Sequence, residues 1–389
     1  MTTTEVLPTR FISAFRPVSE RERRAPVTPE SVKRLIAAGW KCKLPADIGV
    51  ASGWTDDEFR AAGARIEPDP DPANADVMLC VEPPPVESIQ SLKPGCLLIG
   101  LLRPFDANLT FEAAREARVA AIAMELIPRS TLAQSMDALS SQASLAGYSA
   151  VIRAASRLSR ILPMMSTPAG TIPPARVLVI GTGVAGLQAI ATAVRLGARV
   201  TAYDVRPAAK EQVESLGAKF ARVDVDPVQE SSNGYAAAMS ESALARQRAA
   251  LARLCHNSDI VIAAAQVFGK PAPLIIDSSM IAGMQAGAVI VDLAIATGGN
   301  VENARDGMDE IIDGVIVLAD SDLPSTVARD ASNMLASNFA SLLDHITDQS
   351  GALKPPGHNE ILNAVLVTHD GRTRHTLQTP IQARENAAT

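Results

Sequence analysis

Aromatic residues are scarce in this chain: Phe, Trp and Tyr make up 3% of its 389 residues, whereas hydrophobic residues make up 47%. The core must therefore consist mainly of Ala, Val, Ile and Leu, a composition that suits an α/β protein. Positive charge is not in excess either, because 36 Lys and Arg stand against 42 Asp and Glu, a formal net charge of −6. This balance argues against a protein that binds nucleic acid through the phosphate backbone.

Cysteine is equally sparse, and the four residues Cys42, Cys80, Cys96 and Cys255 lack the close spacing of a metal site. We expect buried free thiols in a reducing compartment, and no metal. No amino-terminal stretch combines a charged start, an apolar centre and a cleavage site. The longest apolar region is interrupted by glycines at residues 181–186, which excludes a membrane span there. These absences predict a soluble, cytoplasmic protein.

The first 140 residues alternate strand and helix signals, which predicts a parallel sheet. Thr28 and Pro29 have the pattern of an N-cap and a first helical residue, and residues 55–58 have the pattern of a capping box. Continuous apolar runs predict buried strands at residues 11–15, 77–81, 96–100 and 119–123.

The rest of the chain shows a second α/β pattern. A long helix is predicted over residues 140–159, with Leu145, Tyr148 and Ile152 on its apolar face. A returning helix is predicted over residues 330–346, and a strand candidate follows at 361–367. The other predicted strands are residues 177–180, 199–203, 260–263, 289–292 and 315–318.

These signals predict an α/β fold with two Rossmann-like domains, each built on a parallel sheet. The N-terminal domain would cover residues 1–139, completed by residues 325–389. The NAD-binding domain would cover residues 140–324.

The most informative stretch is an apolar run that ends in three glycines and leads into a helix. In a strand-turn-helix unit, Gly181 would make the tight turn and Gly183 would let the backbone approach a pyrophosphate. Gly186 would let the helix pack on the strand. The phosphate would lie at the amino end of the helix, near Val184, where free N–H groups and the helix dipole favour an anion.

An acidic residue at the end of the next strand strengthens this interpretation. Asp204 follows Gly181 at about the 20-residue distance expected of the residue that binds the adenosine ribose. Its carboxylate would repel a 2′-phosphate, which favours NAD over NADP, although Arg206 could accommodate that phosphate. The simpler alternative is a glycine turn in an ordinary α/β domain.

The segments that carry a family resemblance are residues 129–148, 173–187, 210–217, 234–235, 269–273 and 292–300. They are similar to the NAD(H)-binding domain of proton-translocating nicotinamide nucleotide transhydrogenase, in the family shared with alanine dehydrogenase. The resemblance is specific over residues 123–300. It is weaker but collinear over residues 24–63 and 322–343.

The resemblance implies a two-domain subunit that binds NAD(H) in the cleft between its domains. Arg129, Gln134 and Asp137 would hold the nicotinamide and its ribose as the catalytic residues, with Ser140 as a further carboxamide partner. Tyr235 would lie on a mobile loop that closes over the nucleotide.

Gly269 is carried over as a further cofactor-binding residue, from the matching Gly-Lys-Pro segment. Simpler roles compete at the other positions. Arg129 and Asp137 could form a surface ion pair, and Tyr235 could anchor its own loop.

Hydride passage between two nicotinamide rings needs alignment and exclusion of water, but no acid or base. Alanine dehydrogenases, by the same resemblance, also use an arginine, a lysine and a histidine to bind pyruvate and move protons. Arg24 retains the arginine, but Leu79 replaces the lysine and the histidine position falls near Gly100. The first histidine of the chain is His256. The sequence therefore predicts a structural role for Arg24 and no amino-acid dehydrogenase chemistry.

Two departures from the family pattern concern turnover: Ala296 stands where relatives carry Glu or Gln, and residues 263–268 are unusual. The resemblance implies a homodimer that docks on a membrane-bound partner subunit carrying NADP(H), and hence a place peripheral to the inner membrane. Two alternatives stay open. One is a stand-alone dehydrogenase or imine reductase, and the other is a non-catalytic paralogue that only binds NAD(H).

Overall fold

The computed structural model describes residues 10–106, 109–222, 241–348, 350–355, 357 and 359–374. The chain divides into two compact units. The first unit is Met1–Gln142 with Pro324–Thr389, and the second unit is Ala143–Leu323.

The strands are, in chain order, β1 Phe11–Ala14, β2 Lys41–Pro45, β3 Arg65–Glu67, β4 Val77–Cys80, β5 Leu97–Gly100, β6 Ala120–Ala123, β7 Met165–Thr167, β8 Gly170–Ile172, β9 Arg176–Ile180, β10 Arg199–Tyr203, β11 Lys219–Phe220, β12 Ile260–Ala263, β13 Val289–Asp292, β14 Met308–Ile312, β15 Val315–Ala319, β16 Thr368–His369 and β17 Arg372–Thr373.

The α-helices are α1 Pro29–Ala37, α2 Asp56–Ala61, α3 Val86–Gln90, α4 Thr110–Glu116, α5 Ala138–Arg157, α6 Val184–Arg195, α7 Ala209–Ser215, α8 Glu241–His256, α9 Ser278–Ala282, α10 Ala328–Ile346 and α11 Glu360–Val365. Short 3-10 helices cover Val50–Ser52, Pro72–Asn74, Met124–Leu126, Thr131–Met136, Ile295–Thr297 and Leu323–Val327. None of the helices in the described ranges combines the length and the apolar character needed to span a membrane.

Within the described residues, the first unit contains a six-stranded sheet of order β3-β2-β1-β4-β5-β6, and its pairings are parallel. In the same residues, the second unit contains a seven-stranded sheet of order β11-β10-β9-β12-β13-β15-β14, in which the edge strand β14 is antiparallel. In each sheet the strand order reverses beside the first strand, as in doubly wound folds. The predicted α/β class with parallel sheets is confirmed.

Both faces of each sheet are covered, because neighbouring residues of a buried strand point to opposite sides. In the first unit, Leu79 and Ile99 belong to one apolar cluster, whereas Met78 and Leu98 belong to another. The second unit shows the same alternation in β9. Continuous apolar runs such as 77–80 therefore fill two layers of core at once.

The predicted helix starts in the first unit are confirmed. The Thr28 hydroxyl accepts a hydrogen bond from the Ser31 N–H, and Pro29 is the first residue of α1. Thr55 and Glu58 form the capping box at the start of α2. The side chain and backbone of each pair satisfy each other's N–H groups, which fixes where the helix begins.

The predicted strand at residues 361–367 is wrong, because residues 360–365 form helix α11. The Asn359 side chain accepts a hydrogen bond from the Leu362 N–H and caps this helix. Ile361, Leu362 and Val365 are buried together. Their spacing fits one side of a helix as well as a short strand, and the cap decides for the helix.

The predicted apolar face of α5 is also wrong. Tyr148 and Ile152 are 40% and 37% exposed. The buried face instead carries small residues, with Ala150, Val151 and Ala154 each 0% exposed. Small side chains let α5 approach its neighbours closely, so the face with the larger residues is not the one that packs.

Candidate nucleotide-binding site

The glycine turn follows β9 at the carboxyl edge of the second sheet, at the point where the strand order reverses. Gly181 has a φ of +89°, a left-handed conformation that favours glycine. A Cβ atom at this position would lie 2.8 Å from the backbone of Ala264 and Ala265. Both the conformation and the close approach of the next loop therefore require glycine here.

The other two glycines of the turn differ in what surrounds them. Gly183 is the N-cap residue of α6, and a Cβ there would meet no atom within 4 Å. At Gly186, by contrast, a Cβ would lie 1.9 Å from the Gly181 carbonyl oxygen. Gly186 is thus required by the fold, whereas the space at Gly183 is open. Val184 begins α6 and is 41% exposed, so the amino end of the helix is accessible to an anion.

A fourth glycine supports the same helix start. Gly147 lies in α5, and a Cβ there would lie 2.1 Å from the Ala185 carbonyl oxygen in the first turn of α6. Our sequence reasoning did not assign Gly147 a role. The signal was available, because a glycine inside a helical pattern usually has a packing reason.

Asp204 follows β10, beside the glycine turn. Its carboxylate accepts hydrogen bonds from the N–H and the hydroxyl of Thr182, both at 2.8 Å. It also accepts from the Arg206 backbone N–H at 2.9 Å and from the guanidinium Nε and Nη2, both at 3.0 Å. The predicted neighbours Asp204 and Arg206 are therefore in direct contact.

The charge on Asp204 is stabilised in place. Burial by itself would raise the pKa of this carboxyl, since its side chain is only 7% exposed. The hydrogen bonds from Arg206 and Thr182, with the Arg206 charge, outweigh that effect and hold the pKa below its ordinary value. The second unit thus presents a fixed negative charge next to the glycine turn.

A buried polar pair holds the loops that follow β12 and β13. The Asp292 carboxylate accepts hydrogen bonds from the backbone N–H groups of Ala294, Asn300 and Val301. The Asn300 side chain accepts from the Ala265 N–H at 3.0 Å and donates to the carbonyls of Ala265 and Pro273, both at 2.8 Å. Both side chains are 0% exposed. Asn300 therefore fixes the backbone that lies against Gly181.

The remaining predicted positions of the second unit are on its surface or outside the described residues. Gly269 has a φ of +68° and lies in the turn closed by the Lys270 N–H and the Val267 carbonyl. Ala296 is exposed in the 3-10 helix Ile295–Thr297. Tyr235 and the loop predicted at 224–239 lie outside the described residues.

In the first unit, the residues carried over for the nicotinamide lie on and beside the 3-10 helix Thr131–Met136. Arg129 and Gln134 are exposed. Ala133 and Met136 are buried in the core of the first unit, at 0% and 4% exposure. The short helix therefore has an apolar side that anchors it and an outer side that presents Gln134.

Asp137 and Ser140 are in contact at the start of α5. The Asp137 carboxylate accepts hydrogen bonds from the Ser140 N–H at 2.9 Å and from the Ser140 hydroxyl at 2.6 Å. The carboxylate caps α5, which explains why the helix begins at Ala138 and not at the predicted residue 140. Asp137 thus has a structural task in addition to the predicted one.

The three positions compared with alanine dehydrogenase also lie in the first unit. Arg24 is 8% exposed and pairs through Nε and Nη2 with the Glu22 carboxylate, while its Nη1 donates to Gln142. Leu79 is buried in β4. At Gly100 a Cβ would lie 2.4 Å from the Cys80 sulfur. The packing around Gly100 leaves no room for a side chain without rearrangement.

The structure therefore groups the predicted residues within each unit. The second unit brings the three glycines together with Asp204 and Arg206 at one edge of its sheet. The first unit brings Asp137 into contact with Ser140 and places Gln134 one turn before them. Sequence reasoning missed Gly147 and the bonding of Asn300.

Two known domain families match this chain. The N-terminal domain of alanine dehydrogenase/PNT matches residues 16–146, and the C-terminal domain of alanine dehydrogenase/PNT matches residues 150–376. The two matches together cover both units.

Individual relatives give a more specific comparison. The chain is 42% identical to the first portion of NAD(P) transhydrogenase subunit alpha of Rhodospirillum rubrum, which is a chain of its own, over 91% of this chain and 95% of that relative. It matches the crystal structure of transhydrogenase from Sinorhizobium meliloti with a TM-score of 0.82 at 38% identity, over 94% of this chain and 99% of that one. An alanine dehydrogenase of Halomonas elongata is 28% identical over 93% of this chain and 94% of that relative. Identity is thus higher to the two transhydrogenase chains than to that alanine dehydrogenase.

Proposed function

The chain belongs to the alanine dehydrogenase/PNT family, and from that premise we propose that it is the NAD(H)-binding subunit of a proton-translocating transhydrogenase. It is an oxidoreductase subunit. In this proposal it passes hydride between its own NAD(H) and NADP(H) held on a partner subunit. The partner complex couples that exchange to proton translocation.

The observation that carries the proposal is the open glycine turn beside a fixed carboxylate. Gly183 leaves unfilled space at the amino end of α6, where a pyrophosphate would find free N–H groups and the positive end of the helix dipole. Asp204 stands where the adenosine ribose would lie. A carboxylate whose pKa is held low stays charged at neutral pH and disfavours the 2′-phosphate of NADP(H).

The nicotinamide end is assigned to the first unit. Arg129, Gln134 and Asp137 would hold the ring and its ribose, and Ser140 would contact the carboxamide. When bound, NADH supplies a hydride that leaves with its electron pair, so no side chain has to take or give a proton at the reacting carbon. The residues of this chain only align the ring and keep water away.

The absence of proton-transfer groups where alanine dehydrogenases carry them agrees with this chemistry. Leu79 is apolar and buried, and Gly100 is packed against Cys80. Arg24 is engaged by Glu22 and Gln142 inside the first unit. A keto acid would find neither a carbonyl ligand nor a proton donor at these three positions.

The remaining elements of the proposal concern partners. Relatives named as alpha subunits imply a multi-subunit enzyme, and we propose a membrane-bound partner that carries NADP(H), so that this chain lies at the cytoplasmic side of the inner membrane through that partner. Tyr235 is proposed to close over the bound nucleotide.

We also propose that the chain is a homodimer. The hairpin β7–β8 is exposed along its whole length, and Met164, Met165 and Ile172 are 66%, 44% and 42% exposed. A second copy would remove this apolar surface from water.

One assay tests the proposal against its two alternatives. The purified chain is mixed with NADH and an oxidised nicotinamide analogue, with and without a matching NADP-binding subunit, and hydride transfer is followed by absorbance. Transfer only with the partner supports the proposal. NADH-dependent reduction of keto acids by the chain alone would contradict it in favour of a dehydrogenase. Tight NADH binding with no transfer under either condition would indicate a non-catalytic paralogue.

A further inference from the structure

Asn338 lies in α10 and is buried, with 7% of its surface exposed. Its Nδ2 donates a hydrogen bond to the Ser135 carbonyl at 2.8 Å. Its Oδ1 accepts a hydrogen bond from the Ser141 hydroxyl at 2.8 Å. One amide side chain thus joins α10 to the 3-10 helix Thr131–Met136 and to the first turns of α5.

These two hydrogen bonds lie on either side of Asp137. Ser135 comes two residues before Asp137, and Ser141 comes four residues after it. Asp137 itself caps α5 through Ser140. The segment that carries Gln134, Asp137 and Ser140 is therefore fixed to α10 at both of its ends.

Apolar packing alone does not set this geometry. Ala133 and Met136 bury the inner side of the 3-10 helix, but apolar contacts resist sliding and rotation less than hydrogen bonds of fixed direction do. Gln134 is exposed and Ser135 is exposed, so the Ser135 carbonyl is the point at which this outer side is tied down. Without the amide, the carbonyl would turn towards water and take the neighbouring Gln134 with it.

We propose that Asn338 is a positioning residue for the nicotinamide. It orients Gln134 and Asp137 through the backbone on either side of them, and it does not itself touch the nucleotide. The inference rests on the proposed function, which assigns the nicotinamide to these residues. It adds a residue that neither the motifs nor the family resemblance singled out.

The test compares three variants. Asn338→Ala removes both hydrogen bonds. Asn338→Asp keeps an acceptor for the Ser141 hydroxyl but replaces the donor to Ser135 by a carboxylate oxygen. Ser332→Ala is the matched control, because Ser332 is a buried polar residue of the same helix that bonds to Ala25 and Ala328 and not to the 131–136 segment.

Three quantities are measured for each variant: the Kd of ADP-ribose, which lacks the nicotinamide, the Kd of NADH, and the rate of hydride transfer in complex with the NADP-binding partner. The positioning role predicts an ADP-ribose Kd within about twofold of wild type for both Asn338 variants. It predicts a loss of about 100-fold in transfer rate, the size expected when a reacting group is misplaced by about 1 Å. The preference of the chain for NADH over ADP-ribose should fall in parallel.

The control and the wild type separate the possible failures. If Asn338→Ala and Ser332→Ala lose transfer equally, or if either Asn338 variant transfers at the wild-type rate, the positioning role is overturned. A general folding defect would show as lost ADP-ribose binding, and Asn338→Asp, which preserves volume and one hydrogen bond, then decides the question by its NADH preference. If the wild-type chain itself binds NADH no better than ADP-ribose and does not transfer hydride, the proposed function has failed, independently of Asn338.

Discussion

Arg206 grips the carboxylate of Asp204 with two parallel hydrogen bonds, from Nε to Oδ1 and from Nη2 to Oδ2, each 3.0 Å long. Thr182 supplies two further donors to the same group. A carboxylate has about four lone-pair sites, so this one is fully occupied. An adenosine ribose that binds Asp204 must therefore displace the Arg206 side chain, which is 29% exposed and has room to move outward.

This competition predicts opposite effects at the two positions. Arg206→Ala should bind NADH with equal or a few-fold higher affinity and NADPH with lower affinity, because the competitor for Asp204 and the cation for a 2′-phosphate disappear together. Asp204→Ala should weaken NADH binding about 10-fold or more, which corresponds to the loss of hydrogen bonds to a charged acceptor. Titration calorimetry with both nucleotides checks this. Unchanged NADH binding in Asp204→Ala would contradict the assignment of the ribose.

The glycine turn allows a pair of matched substitutions. Gly183→Ala should fold as the wild type does, because its Cβ meets no protein atom, but should bind NADH at least 10-fold more weakly if the open space receives the pyrophosphate. Gly186→Ala should lower the free energy of unfolding by about 1–3 kcal/mol, because its Cβ meets the Gly181 carbonyl. Thermal unfolding and NADH titration together separate the two effects. Normal NADH affinity in Gly183→Ala would show that no phosphate lies there.

Asn300 predicts a coupling between the core of the second unit and nucleotide binding. Asn300→Ala leaves the buried polar groups of Ala265 and Pro273 without their partner, at a cost of about 2–3 kcal/mol in the free energy of unfolding. NADH affinity should fall as well, since Ala264 and Ala265 lie against Gly181. Asn257→Ala removes an exposed amide that bonds only within α8, and serves as the control. Equal stability of the two variants in urea would contradict this prediction.

Glu125 predicts a pH dependence of stability in the first unit. Burial raises the pKa of this carboxyl to about 7, although the N–H groups of Arg103 and Leu102 donate to it and partly offset the effect. The folded state therefore binds this proton more tightly than the unfolded state, so the stabilising contribution is complete below about pH 4.3 and is lost as the pH rises to about 7. The loss amounts to at most about 3 kcal/mol.

Glu125→Gln removes this titration. The difference in free energy of unfolding between wild type and Glu125→Gln should shift against the wild type from pH 5 to pH 7, and should be constant above that range. Urea denaturation at several pH values measures it. A difference that does not vary with pH would show that Glu125 titrates alike in the folded and unfolded states.

The elements that could be predicted from the sequence are those in which local signals and burial agree. The strands at Ile260–Ala263 and Val289–Asp292 are continuous apolar runs, and the start of α1 is marked by Thr28 and Pro29. The strand Lys41–Pro45 lacks such a signal, because lysines alternate with buried residues in a short segment at the side of the sheet. Residues 360–365 are ambiguous in sequence because their apolar spacing fits a helix and a strand alike.

For the candidate site, motifs indicated chemistry but not support. The spacing of Gly181, Gly183 and Gly186 indicates a dinucleotide turn, yet the sequence does not show that Gly183 alone among them faces open space. Asn338 is about 200 residues away from Ser135 in sequence, and no short-range pattern reports a contact at that separation. Long-range hydrogen bonds of single buried side chains are visible only in the folded chain.

The most direct test of the proposed function follows the hydride itself. NADH that carries deuterium at its transferable position is mixed with the chain, its NADP-binding partner and NADP⁺, and the NADPH formed is analysed by mass spectrometry. Direct passage between rings predicts that the deuterium of each turnover is recovered in NADPH and none in water, and that no transfer occurs without the partner. Deuterium released to solvent, or delivered to an added keto acid by the chain alone, would contradict the proposed function.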